Sequence, residues 1–263
     1  MYPSSNLTNK LKNPERQIDM RTSSLEMFNR YLQLQAAIKE KATQPQQPSI
    51  TISRESGAGA STVAQMVVEH LNAIKTPTGN TAPWTVFDEN LAKEVIVDHK
   101  LPLELEKFMA EDARLPVQSV VEELLGLHST SSSLVQQTTK TILRLASLGR
   151  VVIVGRGAEV ATQLLPYVLH VRLVAPLSKR INQAARFYGL SPNGATQKVS
   201  EEDEARSSYL RRYFNADSDN PFFYHLILNT AKTGFAEAAE LIVQSALRQH
   251  QAFLQSQQSL RAA

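Results

Sequence analysis

The chain of 263 residues contains no cysteine. That excludes disulfides, thiolate metal sites and cysteine nucleophiles. No apolar run approaches the roughly 18 residues that a membrane-spanning helix needs. Met1–Lys12 is polar and has no apolar h-region, which argues against a secretory signal. Charge of one sign is scarce too: 28 Lys and Arg stand against 25 Asp and Glu, a net charge of +3. That excess is too small to mark a nucleic-acid protein. These absences leave a soluble, cytoplasmic protein with no nucleic acid and no membrane among its partners. The hydrophobic share of 42% is enough to fill a core.

Residues 1–48 read as an N-terminal extension. Met1–Pro14 is polar and expected to be disordered. Leu25, Phe28, Leu32 and Ile38 recur at helical spacing and predict an amphipathic helix over Ser23–Ala42. Its apolar stripe would pack on the domain or on a second copy, giving a homodimer. Gln44–Pro48 reads as a linker. A single domain is expected over residues 49–248, with a frayed Gln-rich tail over residues 249–263.

Within that domain, short apolar runs alternate with helical periodicities. Strands are expected at Ile50–Ile52, Trp84–Phe87, Val151–Val154, Val168–Val174 and His225–Leu228. Helices are expected after Gly59 and over Leu91–Val97, Leu103–Met109, Pro116–Leu125, Leu134–Leu148, Leu177–Tyr188, Ser200–Phe214 and Phe235–Leu247. Gly149 would cap the one that precedes Val151. The continuous apolar run Val151–Val154 suits a parallel strand buried on both faces. This alternation predicts an α/β fold with a parallel sheet.

A strand, a glycine-rich turn and a helix form a phosphate-binding geometry. Converging amides and the helix N-terminus both favour an anion. The turn here is Ser53-Arg54-Glu55-Ser56-Gly57-Ala58-Gly59-Ala60-Ser61-Thr62. Aligned on Gly59 with the P-loop pattern G-x-x-x-x-G-K-[ST], it has Arg54 for the first glycine and Ala60 for the lysine. Ser61 stands at the position that ligates Mg²⁺, with Thr62 beside it. Arg54 would supply the missing cation, although a guanidinium and an ammonium are not equivalent. The alternative is a tight strand–helix turn that binds nothing.

Several spaced segments between roughly Ser49 and Val243 form an ordered series. They are Ile50-Thr51-Ile52-Ser53-Arg54-Glu55 with Gly57-Ala58-Gly59, then Val152–Gly157, then His170–Pro176 with Lys179-Arg180-Ile181. Asp203, Arg206, Tyr209 and Tyr213 follow in helical spacing, and Tyr224–Thr230 closes the series. This series resembles the cytidylate-kinase-like family, and the resemblance implies a three-layer P-loop-type parallel sheet with helices on both faces and a helical lid. It implies ATP-dependent phosphoryl transfer to a nucleoside monophosphate, CMP or dCMP, with ATP and Mg²⁺ as cofactors. It also makes the absence of the P-loop lysine a family trait.

Site expectations follow. The backbone of Gly57, Ala58, Gly59, Ala60, Ser61 and Thr62 would cradle donor phosphates, with Ser61 as the metal ligand. Asp88 would lie near the metal or the acceptor, or would cap a following helix. Arg156, after a buried strand, is placed where an acceptor phosphate would lie, with an ion pair as the structural alternative. Asp203 and Arg206 would contact the acceptor, or would form an i,i+3 surface pair. Arg54, Arg156, Arg180 and Arg206 are the candidate catalytic cations. Arg180, with Arg186, Arg211 and Arg212, would form a mobile lid; a solvated helix face is the alternative for Arg211 and Arg212. His170, His225 and Trp84 read as core. Two other functions stay open: a degenerate nucleotide sensor, favoured by the missing lysine, and a kinase for another small metabolite.

Overall fold

The computed structural model describes residues 46–74, 82–88, 132–155 and 157–262. The N-terminal helix and its dimer, the helices expected between Leu91 and Leu125, and Arg156 lie outside the described residues. The described elements are β1 (Ser49–Arg54), α1 (Ala60–Ala73), β2 (Thr85–Phe87), α2 (Ser132–Leu148), β3 (Val151–Val154), α3 (Ala158–Ala161), β4 (Val168–Val174), α4 (Leu177–Tyr188), α5 (Pro192–Phe214), β5 (Leu226–Asn229) and α6 (Thr230–Ala262).

The five strands form one sheet in the order β2-β3-β1-β4-β5. Every pair is parallel, with Ile50 opposite Val152 on one side of β1 and Leu169 on the other. The chain runs from β1 out to β2 and β3, then crosses to β4 and β5. The carboxyl end of β1 is therefore the switch point where an open parallel sheet binds ligands.

Alternation along β1 explains the two faces. Ile50 and Ile52 are fully buried in a core shared with Val63, Val67 and Leu71 of α1 and Ala239 and Ile242 of α6. Burying each such isoleucine contributes roughly 2–3 kcal/mol before entropy is counted. Ser49, Thr51 and Ser53 face the other way, and the Ser49 hydroxyl donates to the Ala146 carbonyl of α2 at 2.9 Å. Helices thus cover both faces of the sheet. A separate small core of Ala184, Ala195 and Val199 joins α4 to α5. That pair stands over the switch point.

Strands β3 and β4 and helix α4 fall where the sequence places them, and Gly149 caps α2 through hydrogen bonds to Leu145 and Ala146 carbonyls. Helix α5 starts eight residues earlier than expected. Ser191 accepts the Gly194 amide as N-cap and Pro192 follows at the first turn, which together set an early start. The Gln-rich tail is not frayed: α6 runs to Ala262, interrupted at Gly234 (φ 76°, ψ 172°). Gln249 donates to the Pro166 and Val168 carbonyls, and Phe253 stacks edge-on against Tyr167 at 5.6 Å, so tertiary contacts hold what composition alone would loosen.

Trp84 is buried, as expected, with its amide donating to Asn72 at 2.7 Å. His170 is also core, with Nδ1 at 2.8 Å from the Thr51 hydroxyl. His225 is not. It lies just before the edge strand β5, exposed rather than buried, and its Nδ1 accepts the His170 amide at 3.0 Å. No described helix is long and apolar enough to cross a membrane.

Candidate functional site

The turn after β1 folds because of two glycines with positive φ and a clamp from α4. Gly57 has φ +80°, and a Cβ there would lie 2.3 Å from the Arg180 carbonyl oxygen. Only glycine satisfies both the backbone angle and that close approach. Helix α1 opens at Gly59, in the left-handed region, with no side-chain cap on its first amides. Those amides are the unsatisfied donors of a helix start.

Arg180 is 8% exposed and is spent on the turn. Its Nε donates to the Ala175 carbonyl at 3.0 Å, and its Nη1 donates to the Ser56 carbonyl at 3.1 Å and to the Asp203 carboxylate at 2.6 Å. Glu55 completes the clamp, accepting the Ala175 amide at 2.9 Å and pairing with Arg180 at 3.2 Å. The expected mobile lid cation is therefore a fixed positioning residue, because its guanidinium saturates main-chain and carboxylate acceptors.

Helix α5 reaches the same turn. Asp203 accepts the Ser56 amide at 2.7 Å, and Glu202 accepts the Ser56 hydroxyl at 2.6 Å. Arg206 pairs with both, at 3.3 Å to Asp203 and 2.8 Å to Glu202. Asp203 and Arg206 do share a helical face, but that face is turned to the loop rather than to bulk solvent. Arg211 and Arg212 are exposed: Arg211 donates to Ser207, and Arg212 lies over the Tyr213 ring, as on a solvated face.

Two cavities meet here. The smaller, about 100 Å³, is lined by the turn, Ser61, Thr62, Asp88, Lys198 and Arg206, with Phe187 and Tyr188 at its apolar side. The larger, about 520 Å³, lies beyond the ends of β1 and β3 and is lined by Ser53, Gly155, Glu159, Arg172 and α5. Arg54, Glu55, Lys198, Glu202 and Arg206 form the shared wall. Arg54 reaches across Gly155 (φ +94°), where a Cβ would collide with its guanidinium.

Behind the larger cavity lies a polar cluster that the sequence reading missed. Glu159 is 1% exposed. Burial pushes its carboxyl up, against the opposing pull of its own backbone amide, Arg54, Arg172 and the Ser53 hydroxyl. Its Oε2 has no hydrogen-bond partner. Arg172 is buried too, paired with Asp219 at 2.6 Å and lying 5.7 Å from the Tyr224 ring centre. Burial raises the Tyr224 hydroxyl as well, with the Glu159 charge adding to it. A charged residue inside the apolar run of β4 was the available signal for Arg172. Glu159 offered none, because nothing in Ala158–Ala161 marks it as inward-facing.

The structure thus gathers Arg54, the Gly57–Thr62 turn, Asp88, Arg180, Asp203 and Arg206 at one end of the sheet. A model of the cytidylate kinase-like family matches residues 49–232. Among solved structures, a protein of Eubacterium ventriosum described as uncharacterized aligns with a TM-score of 0.54 and 21% identity, over 76% of this chain and 98% of its own. That likeness supports the fold alone. The shikimate kinase of Acinetobacter baumannii, solved with shikimate, aligns at a TM-score of 0.40 and 17% identity, over 77% of this chain and 94% of its own. A curated uronate isomerase of Corynebacterium glutamicum is 26% identical over 122 residues, 46% of this chain. The match spans only 23% of that relative's length.

Proposed function

Because the chain belongs to the cytidylate kinase-like family, we propose that it transfers a phosphoryl group from ATP to a nucleoside monophosphate, CMP or dCMP. The observation that carries this reading is the pair of cavities meeting at Arg54 and Glu55. One holds the glycine turn and suits a donor; the other, beyond the strand ends, suits an acceptor.

ATP and Mg²⁺ fit the donor side. The uncapped amides at the start of α1 suit phosphate oxygens, and the Ser61 hydroxyl and Asp88 line the same cavity. Bound MgATP supplies the transferable phosphoryl group and part of the charge that steadies it. The chain's own residues bind and orient. Gly59–Thr62 hold the donor by main-chain amides, while the Ala58 amide closes the turn on the Glu55 carbonyl. Ser61 ligates Mg²⁺. Arg54, on the shared wall, takes the place of the lysine absent at Ala60 and bears on the group in transit. Arg180 and Asp203 keep the turn in shape, and Arg206 adds a cation from α5. Arg156, which follows Gly155, binds the acceptor phosphate.

An ADP-release assay with CMP, dCMP, UMP and hydroxyl acceptors tests the reading. Turnover with a monophosphate, lowered about 100-fold or more by Arg54→Ala, is the expected result. A second reading has its own observation: Ala60 at the lysine position favours a nucleotide sensor. ATP binding without turnover on any acceptor would favour it.

A further inference from the structure

The donor cavity contains a carboxylate that already holds the cations a phosphate would use. Glu202 pairs with Lys198 at 2.7 Å through Oε1. Its Oε2 takes Arg206 at 2.8 Å and the Ser56 hydroxyl at 2.6 Å. An ammonium, a guanidinium and a hydroxyl converging on one anion is the donor set a phosphate group takes. Lys198, Glu202 and Arg206 stand on the wall between the two cavities, and the Ser56 bond holds Glu202 against the turn whose Gly57, Ser61 and Thr62 line the smaller one.

Pairs spaced i,i+4 along a helix often mean little on a solvated face. This one differs, because Ser56 comes from the phosphate turn, 146 residues away in sequence, and pins the carboxylate against it. Asp203 takes the Ser56 amide beside it. Lys198 also lies 4.4 Å from the centre of the Tyr188 ring, which fixes the ammonium at the cavity's edge. Burial alone would raise the Glu202 carboxyl, but hydrogen bonds from Lys198 and Ser56 and the Arg206 charge hold it at about 2. It is therefore an anion at neutral pH. An incoming polyphosphate meets a negative charge seated on two of the cavity's cations.

We propose that Glu202 is an internal stand-in for a donor phosphate, and that polyphosphate binding requires Lys198 and Arg206 to be handed from Glu202 to the incoming anion. The inference rests on the donor-site reading above. Its consequence is a threshold. Glu202 competes with every anion for the same donors, so a polyphosphate, which brings several charged phosphate groups at once, displaces it and a small monoanion does not. Helix α5 thereby selects for polyphosphate without contacting a base.

The test is isothermal titration of inorganic tripolyphosphate and of ATP with Mg²⁺ at constant ionic strength. The proteins are the full chain, Glu202→Gln, and Glu202→Gln combined with Lys198→Met. Removing a competing charge a few ångströms from the ligand should tighten tripolyphosphate about five-fold or more. Adding Lys198→Met should remove most of that gain. Equal or weaker binding by Glu202→Gln overturns the proposal, and so does a gain that survives loss of Lys198. If neither the full chain nor Glu202→Gln binds either ligand, the donor-site reading falls and the inference falls with it. Should Glu202→Gln fail to melt cooperatively, Glu202→Ala replaces it, since alanine is the strongest helix former at such a position.

Discussion

Replacing Arg180 with alanine separates two roles that one charged residue near the glycine turn can play. A cation acting on the transition state would, when removed, lower kcat and leave stability alone. The structure instead ties Arg180 to the turn. Its loss strips the Ser56 and Ala175 carbonyls of a donor, takes the cation paired with Glu55, and leaves Asp203 with the longer Arg206 contact at 3.3 Å. Breaking a mostly buried pair costs about 3 kcal/mol; Asp203 is 31% exposed, so the lower end applies. Each lost hydrogen bond to a carbonyl adds about 1 kcal/mol, partly recovered by water. We expect a loss of about 3–4 kcal/mol, a fall in melting temperature on the order of 10 °C for a domain of this size. ATP affinity should fall with it, because Gly57 and Ser56 lose the surface that shapes them. Guanidinium denaturation gives the stability, and titration calorimetry gives the affinity. Arg180→Lys should lie between, since a compact ammonium cannot span the four acceptors that the guanidinium fork reaches. A double-mutant cycle with Asp203→Asn should show coupling of about 1–3 kcal/mol. A stability loss under about 1 kcal/mol, or no coupling, would refute the clamp.

Three further outcomes are expected. Gly57→Ala meets both a positive φ and the Arg180 carbonyl, so it should cost about 2 kcal/mol or more and abolish ATP binding; a thermal melt and a titration check this. Arg156→Ala should raise the KM for the acceptor at least about ten-fold while donor affinity stays unchanged, read by steady-state kinetics and direct titration. Burial and then the neighbouring His225 lower His170 to about 4. The unfolded chain therefore takes up this proton first as pH falls, and stability should drop by about 2 kcal/mol between pH 6.5 and 5. His170→Gln should flatten that slope in denaturation curves at the two pH values; an unchanged slope would assign the effect elsewhere.

Much of the fold was legible along the chain. β3 reads from four consecutive β-branched residues, since only a strand covered on both faces tolerates them. The glycine turn reads from Gly57 and Gly59 between an apolar strand and an amphipathic helix. Helix α6 did not read to its end, because Gln-rich composition carries no information about Gln249 and Phe253 finding partners in the loop before β4. The cations divided in the same way. Sequence spacing could bring Arg206 onto one face with Asp203, yet it could not say that this face meets Ser56.

Local pattern, then, determined the strands, most of the described helix positions, the glycine turn and the absence of thiols. Each of these depends on neighbours within a few residues, and periodicity and glycine placement record such neighbours directly. Tertiary structure decided what the charges do. Arg180 became a clamp, Glu202 an anion pressed on the turn, and Glu159 a buried carboxyl behind the larger cavity. A charge takes its role from the groups within a few ångströms of it. Some of those groups come from segments more than a hundred residues apart: α4 and α5 bring Arg180 and Glu202 to Ser56 at the end of β1, and α3 brings Glu159 to Ser53 and Arg54.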